Sequence, residues 1–216
     1  MHLAKLYSKF DSRCRSYNQR ITEIKSNELK LRKWEFNYQT EVLISDIWQS
    51  WCHFTRKLLM SSCRGTIARD NSIINARTAD NTWQRLGYEA KQASIQHNVT
   101  ANGHINFLIR KEPTWGDLSN VSRIITGLGP SNKNNLLGAY GSFSQLKDLQ
   151  LVRNACAHKN IETLNSLIPL SSRYNFGSLS CATDVAWAKK NGSNDFAIEH
   201  WLYEMRQISD LATEKA

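Results

Sequence analysis

Helix breakers are scarce in this chain, with ten glycines and three prolines among 216 residues. Turn-dense all-β designs, collagen-like repeats and proline-rich spacers all need more of both, so long uninterrupted helices are the expected framework. The apolar spacing agrees. Tyr7, Phe10, Cys14, Tyr17, Ile21 and Ile24 recur at three- and four-residue steps, and Leu31, Trp34, Tyr38, Ile44, Ile47, Trp48, Trp51, Phe54 and Leu58 continue the pattern. Such spacing puts apolar side chains on one face of a helix. Residues 1–60 are therefore expected to form two long helices or one bent one, with the charged cluster Lys25, Glu28, Lys30, Arg32, Lys33 and Glu35 at the junction.

Residues 61–80 are polar and read as a loop before a helix capped by Asp80 or Asn81 and carrying Trp83, Leu86, Ala90 and Ile95. Ile105, Phe107 and Ile109 alternate as in a strand, but one strand makes no sheet, so an extended linker is expected there. Thr114 to Asp117 reads as a helix start, with Leu118, Val121, Ile124 and Ile125 inward and Gly127 and Gly129-Pro130 as the stop. Ser131 to Gly141 reads as a loop, and Ser142 to Gln145 has the capping-box pattern for a helix ending near His158. A short helix through Leu164 and Leu167 should stop at Pro169. Residues 170–194 look irregular, with a turn of helix at Thr183–Lys190, before a last helix from about Asn194 to Thr213 with Phe196, Trp201, Met205, Ile208 and Ala212 inward. The expectation is all-α in one domain over 1–216, with long N-terminal helices over 1–60 and the rest of the bundle over 80–213.

Composition narrows the partners. At 41% hydrophobic and 22% charged, the chain can bury a core, which excludes global disorder. The formal charge of +9 attracts polyanions such as nucleic acid or an anionic membrane surface. No stretch approaches a membrane span, and the start lacks the apolar run of a secretory signal, so a cytoplasmic protein is expected. Cys14, Cys52, Cys63, Cys156 and Cys181 are scattered and odd in number, as free thiols of a reducing compartment would be.

One string carries chemistry: Leu151 to Asn160 reads Leu-Val-Arg-Asn-Ala-Cys-Ala-His-Lys-Asn. A phosphodiester needs a cation on its non-bridging oxygens, and the guanidinium of Arg153 offers a planar fork charged at any working pH. Proton transfer near neutrality suits the imidazole of His158. In RNA the neighbouring 2′-hydroxyl supplies the nucleophile, so neither metal nor enzyme nucleophile is required. Asn154 can hydrogen-bond the phosphate or orient a ring. Five helical steps turn through about 500°, so Arg153 and His158 lie roughly 140° apart on a regular helix. They converge if the helix ends or kinks near His158, or if two copies meet across a dimer axis.

This string resembles the Arg-x(4–6)-His motif of the HEPN superfamily, in the form where a polar residue follows the arginine. By composition alone the Arg-x4-His pair should arise about 0.4 times, and the pair with Asn after Arg roughly 0.03 times. The resemblance implies a HEPN-type helical bundle with extended N-terminal helices, usually homodimeric, whose two motifs line one cleft. It further implies a metal-independent, cofactor-free endoribonuclease of the kind found in toxin–antitoxin and anti-phage defence systems, with RNA as substrate and an antitoxin or other defence-system component as partner. Some members only bind RNA or protein, which is the alternative. Arg153, Asn154 and His158 correspond to the functional triplet. Lys159 stands where many members have glycine, and Lys159 and Lys133 are candidate RNA contacts.

Other constellations are weaker. Cys52, His53 and Cys63 lack a fourth metal ligand, so no metal is expected. Cys156 shares the side of its helix with Leu149 and Val152 and reads as a small buried hydrophobe. The run Gly127 to Lys133 lacks the ending of a phosphate loop and follows a helix. Trp34, Trp48 and Trp51 can stack bases, but their helical spacing makes core or interface the first reading. His104 and His200 are expected to be structural.

Overall fold

The N-terminal stretch forms two separate helices, α1 (Leu3–Ser26) and α2 (Lys33–Arg64), in the computed structural model, which describes residues 2–216. The chain is all-α: α3 (Trp83–Ser94), α4 (Leu118–Leu128), α5 (Lys133–Gly141), α6 (Leu146–His158), α7 (Ile161–Asn165), α8 (Thr183–Ala186) and α9 (Ala197–Glu214) follow. Among the described residues the strands are two-residue pairs, β1 (Thr66–Ile67) with β2 (Ile73–Ile74) and β3 (Tyr174–Asn175) with β4 (Lys189–Lys190), both antiparallel.

Contacts divide the chain into two compact units. One comprises residues 1–10, 50–144 and 207–216, the other residues 11–49 and 145–206, so α1, α2 and α9 each contribute to both. These units cut across a division near residue 60.

In the first unit, Phe10 stacks on Phe54 at 4.5 Å, and Trp51 lies 5.6 Å from Tyr140. The polar atoms of these buried rings are matched: Trp51 Nε1 donates to the Gly116 carbonyl at 3.2 Å, and the Tyr140 hydroxyl donates to Thr55 Oγ1 at 2.9 Å. α3 packs mainly on α4, and a Cβ on Gly127 would lie 2.5 Å from the Ala93 methyl, so this crossing requires glycine.

In the second unit, Tyr17, Ile21 and Ile24 of α1, Phe36, Leu43, Ile44 and Ile47 of α2, Leu149 and Val152 of α6 and Trp201 of α9 are buried. The Tyr17 hydroxyl donates to the Asp46 carbonyl at 3.2 Å, tying α1 to α2. Phe36 and Trp187 pack at 5.3 Å, and Trp187 Nε1 donates to Thr40 Oγ1 at 3.0 Å.

Several local expectations are corrected. The loop expected over 131–141 contains α5, whose Leu136, Ala139 and Tyr140 share a buried face. Gly138 and Gly141 are exposed, and burial of that face outweighs their helix cost of about 1 kcal/mol each. The capping box at 142–145 does not form. The Ser142 hydroxyl donates back to the Gly138 carbonyl at 2.7 Å, and Glu204 Oε2 accepts the Gln145 amide at 3.1 Å, so a carboxylate from α9 caps α6. α3 is capped by Thr82 rather than Asp80 or Asn81, and Asp80 instead accepts the Thr82 amide at 2.8 Å. α2 runs on to Arg64, and the β1–β2 hairpin occupies part of the expected 61–80 loop. In place of an extended linker over 104–111, residues 104–106 form a turn and Ile109–Lys111 a 3-10 segment, with Leu108 extended before it. Pro169 lies inside a 3-10 turn, Ile168–Ser172, after α7 has ended.

Candidate functional site

The Arg-Asn-x3-His string occupies the last two turns of α6. Leu146, Leu149, Val152, Ala155 and Cys156 anchor the helix by facing inward, which leaves Arg153 and Asn154 half-buried and His158 exposed. α6 remains helical through His158, its last residue, and is closed by Lys159 at φ 48° and ψ 41°. This left-handed conformation favours glycine, and a lysine there is strained by about 1 kcal/mol or more. The Lys159 amide donates to the Ala155 carbonyl at 3.0 Å, which closes the helix. Asn160 then caps α7, its Oδ1 accepting the Thr163 amide at 2.8 Å. The abrupt stop leaves His158 at a helix end.

Because α6 does not kink, Arg153 and His158 leave it roughly 140° apart, and no bond joins them among the described residues. Asn154 lies between. Arg153 Nη1 donates to Asn154 Oδ1 at 3.3 Å, and Asn154 stands one helical turn before His158 on the same side. The guanidinium thus leans toward the row that ends in the imidazole. It pairs with no carboxylate among the described residues, so most of its five N–H donors remain available.

Lys159 is less free than a surface lysine would be. Its Nζ lies 2.7 Å from Glu41 Oε2 of α2, and this contact raises the lysine pKa above its ordinary range. The lysine side chain is 65% exposed, so the pair is weak and separable. Lys133, the other candidate contact, sits half-buried in the first turn of α5, in the other unit. The structure therefore groups Arg153, Asn154, His158 and Lys159, and does not show Lys133 joining them. Glu41 was not legible as part of the site, since only tertiary packing brings it to Lys159.

Cys156 is buried within the string, and burial pushes its thiol up to about 12, so no thiolate nucleophile is available near neutrality. Burial likewise pushes Cys63 up to about 12. Among the described residues no three His, Cys, Asp or Glu side chains come close enough to hold a metal ion. No helix among them is long and apolar enough to cross a membrane. His200 is half-buried, accepting from Lys190 Nζ at 2.8 Å. His104 lies near Arg85 and Asp80.

Comparison with protein-family models, curated proteins and solved structures returned no match.

Proposed function

We propose that the chain is a metal-independent endoribonuclease of the HEPN type. The observation that carries this reading is the Arg153-Asn154-x3-His158 triplet at the closed end of α6, with an unpaired guanidinium leaning toward Asn154 and an exposed imidazole one turn beyond. In this chemistry a 2′-oxygen attacks the adjacent phosphorus and the bond to the 5′-oxygen breaks. His158 takes the proton from the 2′-hydroxyl or gives one to the departing 5′-oxygen. Arg153 holds the charge that builds on the non-bridging oxygens, and Asn154 positions the phosphate or the imidazole. The products are a 2′,3′-cyclic phosphate and a 5′-hydroxyl.

One imidazole cannot both accept and donate in a single step without changing state, and the roughly 140° between Arg153 and His158 keeps one copy from gripping a phosphate from both sides. A homodimer placing two α6 ends across one cleft meets both needs, with Arg153 of one copy facing His158 of the other. The role fits a cytoplasmic toxin or anti-phage effector, held by an antitoxin or a defence-system partner.

Cleavage of a labelled RNA tests the proposal. Wild-type protein should cut in EDTA and leave a cyclic phosphate terminus. His158→Ala should slow cleavage by at least about 100-fold while folding and oligomeric mass are retained. Full activity in that variant, or complete loss in chelator, overturns the assignment.

A further inference from the structure

The surface of α2 beside this site carries two aromatic rings and a valine that the core does not use. Trp34 is 60% exposed, Tyr38 61% and Val42 51%. They sit four residues apart, so each is rotated by about 40° from the last and the three make one shallow stripe. On one side of it, Tyr17 and Arg20 of α1 with Tyr38, Val42 and Asp46 of α2 line a groove of about 240 Å³. On the other side is Glu41, one turn from Tyr38 and about 4.5 Å further along the helix axis. Glu41 holds Lys159, the residue after His158. The stripe therefore reaches the level of α2 that is tied to the end of α6.

Cations lie beside these rings. The Arg32 guanidinium lies 5.2 Å from the Trp34 ring centre and shares an exposed, separable ion pair of 3.0 Å with Glu35. Arg20 is exposed at the groove that Asp46 also lines, and Lys30 and Lys33 are exposed beside Arg32 in sequence. Protein-docking faces are depleted of lysine, whereas rings with exposed lysine and arginine beside them suit bases and phosphates in turn. A duplex hides its base faces, so only an unpaired strand can stack on such rings.

We propose that the Trp34–Tyr38–Val42 stripe with Arg20 and Arg32 is a track for single-stranded RNA, which stacks bases on Trp34 and Tyr38 and leads the strand toward His158. This inference rests on the ribonuclease reading for its choice of RNA, yet its test does not depend on cleavage. Binding of a fluorescein-labelled single-stranded 12-nucleotide RNA is measured by anisotropy in the His158→Ala protein, beside a duplex of the same sequence. Trp34→Ala and Tyr38→Ala should each weaken single-strand binding about tenfold. Trp34→Phe and Tyr38→Phe should stay within about threefold of the parent, because the stacking face is kept. Duplex binding should not follow the ring substitutions. Arg20→Ala should flatten the salt dependence of binding by about one charge.

Unchanged single-strand affinity in both alanine variants, with circular dichroism showing them folded, overturns the track. So does a change of oligomeric mass in those variants with RNA affinity intact, which would make the stripe a protein contact. If wild-type protein cuts no RNA but the ring variants still lose binding, the ribonuclease reading falls and the track stands. If it cuts RNA and the ring variants bind and cut as wild type does, the track alone falls.

Discussion

Two buried carboxylates of the first unit keep different company from two of the second, although the second also buries Asp11 in a matched pair with Arg206 at 2.9 Å. In the first, Arg56 grips Glu112 through two hydrogen bonds of 2.6 and 2.7 Å, with Trp115 Nε1 adding a third at 2.8 Å. Glu89 is held by Arg77 at 2.5 Å and by Arg85. In the second, Asp148 receives the Tyr174 hydroxyl at 2.9 Å on Oδ2, while Oδ1 faces Arg173 at 3.1 Å outside hydrogen-bond geometry. Glu204 has the Gln145 amide at 3.1 Å and His200 at 3.5 Å. Burial pushes both Asp148 and Glu204 above the usual carboxylate range. Matched ion pairs make the first unit's polar interior a scaffold. In the second, Asp148 and Glu204 have fewer partners, and Arg153 on α6 pairs with no carboxylate among the described residues.

Breaking the best-matched site should cost most. Glu89→Ala leaves Arg77 and Arg85 without their shared carboxylate, and Arg77 is only 10% exposed at its side chain, so a loss of about 3–5 kcal/mol is expected in denaturant unfolding. A loss below about 1 kcal/mol would show that the pair is no scaffold.

The same kind of change in the second unit should do far less. Asp148→Asn keeps an acceptor for the Tyr174 hydroxyl and removes a buried charge, so stability at pH 7 should fall by less than about 1 kcal/mol, or rise. The sign with pH is fixed. A carboxyl whose folded pKa is raised holds its proton longer in the native state, so wild-type stability declines as pH climbs from the ordinary aspartate range through the folded value. The asparagine variant lacks that decline, and its relative advantage should grow over the same window. A loss above about 3 kcal/mol would place Asp148 with the matched acids of the first unit.

The smallest expected effect is at His200, which Lys190, Glu204 and Asp195 surround. Burial and the Lys190 ammonium lower its pKa below the ordinary 6.5. In the window between the folded value and 6.5 the unfolded chain carries more protons, so stability is full above that window and is lost as pH falls through it. Melting temperature should drop with acidification more steeply in wild type than in His200→Gln. Parallel curves would remove the histidine from the account.

Much of the helical framework was legible because its cause is local. Ile21, Ile24, Ile44 and Ile47 follow a 3.6-residue period without glycine or proline, and all are buried. The start of α4 near Thr114–Asp117 and its stop near Gly129-Pro130 were also readable; Asp117 is the N-cap and Gly129 the left-handed C-cap, while Gly127, read as part of the stop, lies inside the helix. α5 was hidden because its glycines and asparagines are local signals for a turn, while burial of Leu136 and Tyr140 is a long-range fact. The capping-box pattern at Ser142 misled for the converse reason: a distant carboxylate, Glu204, took the place of the local cap.

The sequence by itself determined the all-α framework, the burial of Cys156 and the position of Arg153, Asn154 and His158 at a helix end, since each follows from spacing along one segment. Tertiary structure alone decided that Glu41 holds Lys159, that Glu204 caps α6, and that Trp48 and Trp51 are buried while Trp34, on the same helix, faces water. Periodicity states which residues share a face, but coverage of that face depends on chain segments far away in sequence.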